Sequence, residues 1–274
     1  MEKYRLDHDL HIHSVLSVCS GDERQTPEAI LAYGKRNGYH TLCLTDHCWV
    51  ETVKSRYATD FYTWQPTERI NRAKPLPVDP DGKCRFLFGL ETDMDMDGVI
   101  GVDEAHYDDF DFIVVPTTHL NFPGFTFDPA TEDSFEGRAA AWVRRFDAVN
   151  HSTLPGGKTG IAHLTCGLLG REREDVLKIF PLISDAEMGR LFTAAKEKNY
   201  GIELNFVIEQ FEGKDRDIIL RPYKIAKECG CKFYMGSDGH TPEELKNGEM
   251  RFPMYVEAFS LTEDDKYDLV RMDG

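Results

Sequence analysis

The chain has 274 residues and a formal net charge of -16, from 48 acidic against 32 basic side chains. A surface this acidic repels polyanions and disfavours long nucleic acids and anionic membranes as partners, while bound divalent cations would offset part of the charge. No apolar run approaches the ~18 residues needed to span a bilayer, and the opening Met1-Glu2-Lys3-Tyr4-Arg5 does not read as a secretory leader, so a cytoplasmic protein is expected.

The seven cysteines, at 19, 43, 48, 84, 166, 229 and 231, are odd in number and lack paired spacing, which fits a reducing compartment. The close pair Cys229 and Cys231 reads as structural. Hydrophobic content of 41% is ample for a core, and the length suits a single domain over 1–274.

In chain order, the first predicted strand lies within 4–13 and carries Asp9-Leu10-His11-Ile12-His13-Ser14. Alternation along a strand puts Asp9, His11 and His13 on one face and Leu10 and Ile12 on the other. Two imidazoles about 7 Å apart along a strand can lean toward one metal ion. Asp9 reads either as a carboxylate fixing a histidine tautomer or as a solvated strand end. Thr26-Pro27-Glu28 marks a helix start, with Thr as N-cap and Pro in the first turn, and Gly38 marks its stop. The strand at 41–45 then delivers Asp46 and His47.

An irregular stretch over 48–83 includes a short helix near 67–73, and a third strand at 84–90 ends in Glu91. Asp93, Asp95 and Asp97 alternate beyond it, but the glycine and terminal glutamate of an EF-hand loop are not at the required positions. The apolar strand at 112–116 delivers His119. Residues 121–158 read as an insertion with one helix, about 132–149, and a strand at 160–162 delivers His163. A helix over 185–199, a strand at 201–205 with Glu203 and Asn205, and a helix over 216–229 follow. The strand at 232–236 runs into Ser237-Asp238-Gly239-His240, and the tail reads as two or so short helices.

Short strands alternating with helices predict an α/β fold with a parallel sheet, and seven such units predict its closure into a barrel. The polar residues His11, His13, Asp46, His47, Glu91, His119, His163, Glu203, Asp238 and His240 all fall at or just beyond strand C-termini. That is the face on which barrel enzymes build their sites. A metal centre is therefore expected.

These residues resemble the PHP family, the polymerase and histidinol phosphatase superfamily. The matching motifs are Asp9-Leu10-His11-Ile12-His13-Ser14, Thr45-Asp46-His47, Gly89-Leu90-Glu91, the isolated His119 and His163, and Gly236-Ser237-Asp238-Gly239-His240. They follow the family's order over nearly the whole chain. The resemblance implies a distorted (β/α)7 barrel, similar to a TIM barrel, that holds two or three divalent ions (Zn, Mn or Fe) and hydrolyses phosphoesters. It implies a first metal on His11, His13, Glu91 and Asp238, with Glu91 bridging to a second on His119 and His163. His47 and His240 would serve a third. Histidinol phosphatases of the family place a histidine where this chain has Cys19, which leaves Cys19 open as a soft ligand or a buried thiol.

Metal ions about 3.5–4 Å apart lower the pKa of a bridging water and stabilise both oxygens of an in-line displacement. The expected reaction is thus hydrolysis of the phosphomonoester of a small metabolite by a metal-bridging hydroxide, with L-histidinol phosphate as the named example. Asp46, His47 and His240 are the catalytic candidates, Asp46 standing open as ligand, proton donor or partner of His47. Glu203 and Asn205 read either as groups that orient ligands or as structure at the barrel mouth. For the substrate phosphate the first candidate is Arg171, followed by Arg138 and Arg144. The alternatives are a phosphodiesterase or exonuclease on mononucleotides or short oligonucleotides, and a non-catalytic metal-binding module. A C–N hydrolase would commonly need a carboxylated lysine, for which no strand end offers a candidate.

Overall fold

The computed structural model describes residues 2–271. Seven strands, β1 (His8–Ile12), β2 (Thr41–Leu44), β3 (Arg85–Glu91), β4 (Phe112–Pro116), β5 (Thr159–Ala162), β6 (Gly201–Leu204) and β7 (Lys232–Met235), pair in parallel in chain order. The helices are α1 (Pro27–Arg36), α2 (Asp60–Thr63), α3 (Thr67–Asn71), α4 (Phe135–His151), α5 (Val176–Ile179), α6 (Asp185–Glu197), α7 (Gly213–Glu228) and α8 (Leu245–Phe259). Strands such as β4, apolar and buried throughout, are what a parallel sheet covered on both faces requires.

The sheet closes on itself. The Asp238 amide donates to the His11 carbonyl at 2.8 Å, and the His13 amide to the Gly239 carbonyl at 3.1 Å, so the segment after β7 docks on the end of β1. Four strands supply an inner apolar cluster of Cys43, Phe112, Val114, Ala162 and Tyr234, joined by Leu10 of β1. Tyr267 closes the opposite end of the barrel by donating to the carbonyls of Thr159, the first residue of β5, and Asn199, two residues before β6. The mouth at the strand C-termini stays free for a site.

Strict alternation fails in β1. The register between β1 and β2 shifts between Asp9 and Ile12, and Leu10 joins the inner cluster while Ile12 packs in the outer, helix-covered core. An irregularity of this kind turns neighbouring side chains to faces they would not otherwise share.

The expected start of α1 is present, with the Thr26 side chain accepting from the Ala29 amide and Pro27 in the first turn. The stretch 121–158 differs from its reading as an insertion. Its helix, α4, buries Trp142, Phe146 and Val149 and packs on α5 and α6, so it is the crossover that links β4 to β5. The tail also differs, since α8 is one 15-residue helix before two short 3-10 turns. Among the described residues no helix is long and apolar enough to cross a membrane.

Candidate metal centre

The ends of all seven strands contribute to one buried polar cluster at the barrel mouth. The first group is His11, His13, Glu91 and Asp238. His11 Nε2 and His13 Nε2 lie 3.1 Å apart, and each stands 3.3 Å from Glu91 Oε2. Asp238 Oδ1 is 3.5 Å from His11 Nε2 and 3.1 Å from His13 Nε2. Four donors at 2.0–2.1 Å from a tetrahedral zinc ion would be about 3.3–3.4 Å from one another. The observed spacing fits that donor set.

Glu91 divides its two oxygens. Oε2 faces His11, His13 and, at 3.1 Å, His47 Nδ1, while Oε1 lies 3.2 Å from His163 Nε2 and 3.9 Å from His119 Nε2. Glu91, His119 and His163 form the second group, and His13, His47 and His240 a third. His47 Nδ1 is buried and has no hydrogen-bond partner among the described residues, an unsatisfied atom that a cation would satisfy.

Most of these imidazoles are aimed by a bond to the other ring nitrogen. His11 Nδ1 lies 2.6 Å from Glu203 Oε1, whose second oxygen accepts from the His163 amide at 2.7 Å. His13 Nδ1 meets Ser17 Oγ at 3.0 Å, and His163 Nδ1 meets Thr118 Oγ1 at 3.0 Å. His119 Nδ1 is 3.1 Å from Asp93 Oδ2, and Asp93 in turn pairs with the buried Arg145. His240 Nδ1 donates to the Asp238 carbonyl at 2.8 Å. These bonds leave Nε2 of each ring directed at the groups above, the arrangement that metal-binding histidines use. His163 (φ 26°) and Asp238 (φ 52°) adopt the left-handed backbone region, a local strain that the surrounding bonds hold in place.

The charges reinforce one another. Burial works against protonation of His13, yet the Asp238 and Glu91 carboxylates outweigh it and raise its pKa to about 9. Burial likewise opposes ionisation of Glu91, but the His47 and His11 imidazoles outweigh it and hold its carboxyl well below the usual range. A divalent ion bound among these groups would displace the protons they draw.

Three sequence expectations change here. Asp9 is neither solvated nor bonded to a ring nitrogen: it is buried and accepts from the Ser237 amide at 2.9 Å and the His11 amide at 3.2 Å, tying β7 to β1. Asp46 is in none of the candidate metal groups, which also include one of His11, His163 and Glu203. Its oxygens accept from the Ser14 amide, Ser14 Oγ and Ser17 Oγ, each at 2.7 Å, so it steadies His13 through Ser17. Arg171 is exposed and ion-paired with Asp133; Arg138 spans the carbonyls of Leu120 and Leu169, and Arg144 pairs with Glu132. The arginines that line the cavity beside the metal groups are Arg173 and Arg251. Cys19 is exposed rather than a buried thiol, and its Sγ lies 3.0 Å from His240 Nε2; partial loss of solvent around the sulfur, then the Glu91 and Asp238 carboxylates, raises its pKa. Sequence reasoning missed Ser17, Asp93, Thr118 and Arg145. Asp93 alone had a signal, two residues after Glu91 on the same strand end.

That cavity, about 280 Å³, is bounded by His163, Asp238 and His240 on the metal side. Asn205, Phe206 and Phe211 line it together with the two arginines.

No protein-family model matches the sequence, and no curated protein matches it. In three dimensions the chain is similar to a histidinol phosphate phosphatase from Lactococcus lactis, solved with zinc, L-histidinol and phosphate. The TM-score is 0.57 at 14% identity, over 96% of this chain and 98% of that one. The fold is that of the PHP barrels. Looser likenesses are an archaeal ribonuclease P with mature tRNA (TM-score 0.36, 13% identity, 92% of this chain and 86% of that one) and a triazine hydrolase from Arthobacter aurescens (TM-score 0.40, 10% identity, 84% and 58%).

Within this PHP-type barrel, two positions test how the ligands are held. Glu203→Gln removes the charge behind His11 and is expected to weaken metal binding 10–100-fold, read by competition with a metal indicator. A Cβ on Gly236 would stand 1.9 Å from Glu203 Oε1 and 2.6 Å from His11 Cβ. Gly236→Ala is therefore expected to displace the same pair and to cost about 1–3 kcal/mol of stability in a denaturant melt.

Proposed function

We propose that this chain is a metal-dependent phosphomonoesterase acting on a small metabolite, with L-histidinol phosphate as the first compound to try. The carrying observation is Glu91, a buried carboxylate whose two oxygens face two different histidine groups. One carboxylate with two such faces suits a pair of ions. Bound there, divalent ions would polarise the phosphoryl oxygens and activate water for an in-line displacement.

The chain's own residues do the remaining work. Glu203, Ser17, Thr118 and Asp93 hold His11, His13, His163 and His119 in fixed orientations, so little reorganisation is left for the reaction itself. The cavity beside His163 and Asp238 receives the leaving group. Its volume of about 280 Å³ matches a single-ring metabolite better than an oligonucleotide. Phe206 and Phe211 offer apolar contact, while Asn205, Arg173 and Arg251 offer polar anchors. Zinc and histidinol phosphate are first choices because the similar barrel from Lactococcus lactis was solved with zinc, L-histidinol and phosphate.

The test is inorganic phosphate release from a monoester panel that includes histidinol phosphate and nucleoside monophosphates, with metal-loaded protein and a His13→Ala control. Turnover of at least one monoester, lost in the control, supports the reading. No release from any monoester by protein with its ions bound overturns it.

A further inference from the structure

One wall of the cavity beside the metal groups is a helix. Glu244, Asn247 and Arg251 line that wall, three and four residues apart, so they share one face at the start of α8. The helix packs inward through Leu245, Phe252, Tyr255 and Phe259. Tyr255 pins it, since its hydroxyl donates to the Phe206 carbonyl and accepts from the Phe206 amide at 3.1 Å, just beyond β6. Arg251, one turn before Tyr255, is thus presented to the cavity from a fixed backbone.

Its guanidinium is held but not used up. Arg251 Nε donates to Glu209 Oε1 at 2.9 Å, and among the described residues nothing accepts from its two terminal nitrogens. The side chain is 15% exposed, against 40% for Glu209. The next residue, Gln210, accepts from Arg173 Nη1 at 3.0 Å, so the short turn Ile208–Gln210 anchors both arginines that line the cavity. In a chain with a net charge of -16, these two cations share the cavity wall with one carboxylate, Glu244, apart from Asp238 of the metal groups. A cavity so biased against the sign of the whole chain is suited to an anion.

We infer that Arg251 reads a carboxylate on the leaving group, which makes the substrate the phosphomonoester of a small acid. The inference rests on the proposed phosphomonoesterase reading and narrows its substrate class. The terminal edge of a guanidinium presents two parallel N–H donors that match the two oxygens of a carboxylate. Glu209 steadies that fork from the Nε side, so less side-chain freedom is lost on binding. Asn205 and Asn247 offer neutral partners to the rest of the leaving group. The likeness to the Lactococcus lactis barrel makes histidinol phosphate the first compound to try, but the charge of this cavity puts acid-bearing esters ahead of it.

The experiment compares O-phosphoserine with O-phosphoethanolamine, which keeps the amine and lacks only the carboxylate. Phosphate release from each is measured with zinc-loaded, full-length protein, and binding of each is followed by calorimetry. The wild type is expected to favour phosphoserine in kcat/KM by at least about 10-fold, the scale of a hydrogen bond to a charged group. In Arg251→Gln that ratio is expected to fall toward one, chiefly through the KM for phosphoserine, and Arg251→Lys is expected to restore part of it. Equal losses on the two esters overturn the inference, because Arg251 would then act on the shared phosphate or on the fold. Release of phosphate from both esters without preference overturns this inference alone and leaves the proposed function standing. Tighter binding of phosphoserine that Arg251→Gln abolishes, with no release from any monoester, supports the carboxylate site and overturns the proposed function. Absence of preference in both turnover and binding overturns the carboxylate site whatever the protein hydrolyses.

Discussion

Phosphate release by the metal-loaded chain is expected to fall by at least about 10³-fold in Glu91→Gln, roughly 4 kcal/mol of transition-state stabilisation. The reason is the division of labour between its oxygens. Oε2 lies within 3.3 Å of His11 and His13, and Oε1 lies 3.2 Å from His163. Glutamine keeps one acceptor and turns an NH2 toward the other group, where it repels a cation and hydrogen-bonds the nitrogen that should bind it. The side chain keeps its size, so the packing around it is preserved. Metal analysis separates this cause from misfolding: the variant is expected to hold fewer ions while melting close to the wild type when both are stripped with chelator. Added metal should then raise the wild-type melting temperature more than that of the variant, because only binding to the folded state stabilises it. Wild-type turnover by Glu91→Gln would sink the bridging assignment.

The residues of the candidate metal groups were legible because a parallel barrel gathers every strand C-terminus at one mouth. His11, Glu91, His119, His163 and Asp238 are far apart in sequence, yet each follows an apolar run, and period and order alone were enough to expect their convergence. What aims them was not legible. Ser17 and Thr118 sit in loops whose direction depends on three-dimensional packing, and a serine or threonine carries no spacing signal. The arginines failed for a related reason. Arg171 stands in the loop after His163, as does Arg173, but only Arg173 lines the cavity, and a separation of two residues in an irregular loop fixes no direction. The Asp9 and Leu10 orientations were lost to one register shift, since alternation holds only while the ladder is unbroken.

Arg145→Met is expected to cost about 3–5 kcal/mol of stability, a large share of the roughly 5–15 kcal/mol that holds a domain folded. Arg145 and Asp93 are both fully buried, and the guanidinium also donates to the carbonyls of Met94, Thr126 and Pro116. Methionine fills much of the volume but leaves the Asp93 carboxylate without its cation, and removing one partner of a buried pair is what makes the loss large. The same charge steadies His119: burial alone would raise the Asp93 pKa, and Arg145 first, then His119, outweigh it and keep it below the usual range. In the variant Asp93 becomes easier to protonate, which weakens its hold on His119 Nδ1. Stability and metal binding at the Glu91, His119 and His163 group should therefore fall together. Asp93→Asn added to Arg145→Met removes the stranded charge, so the double variant is expected to melt above Arg145→Met alone even though it carries one more substitution. Metal binding should not recover with it, because an amide oxygen is a weaker anchor for His119 than the carboxylate. A double variant less stable than the single one would mean that Arg145 acts through its three carbonyls rather than through Asp93.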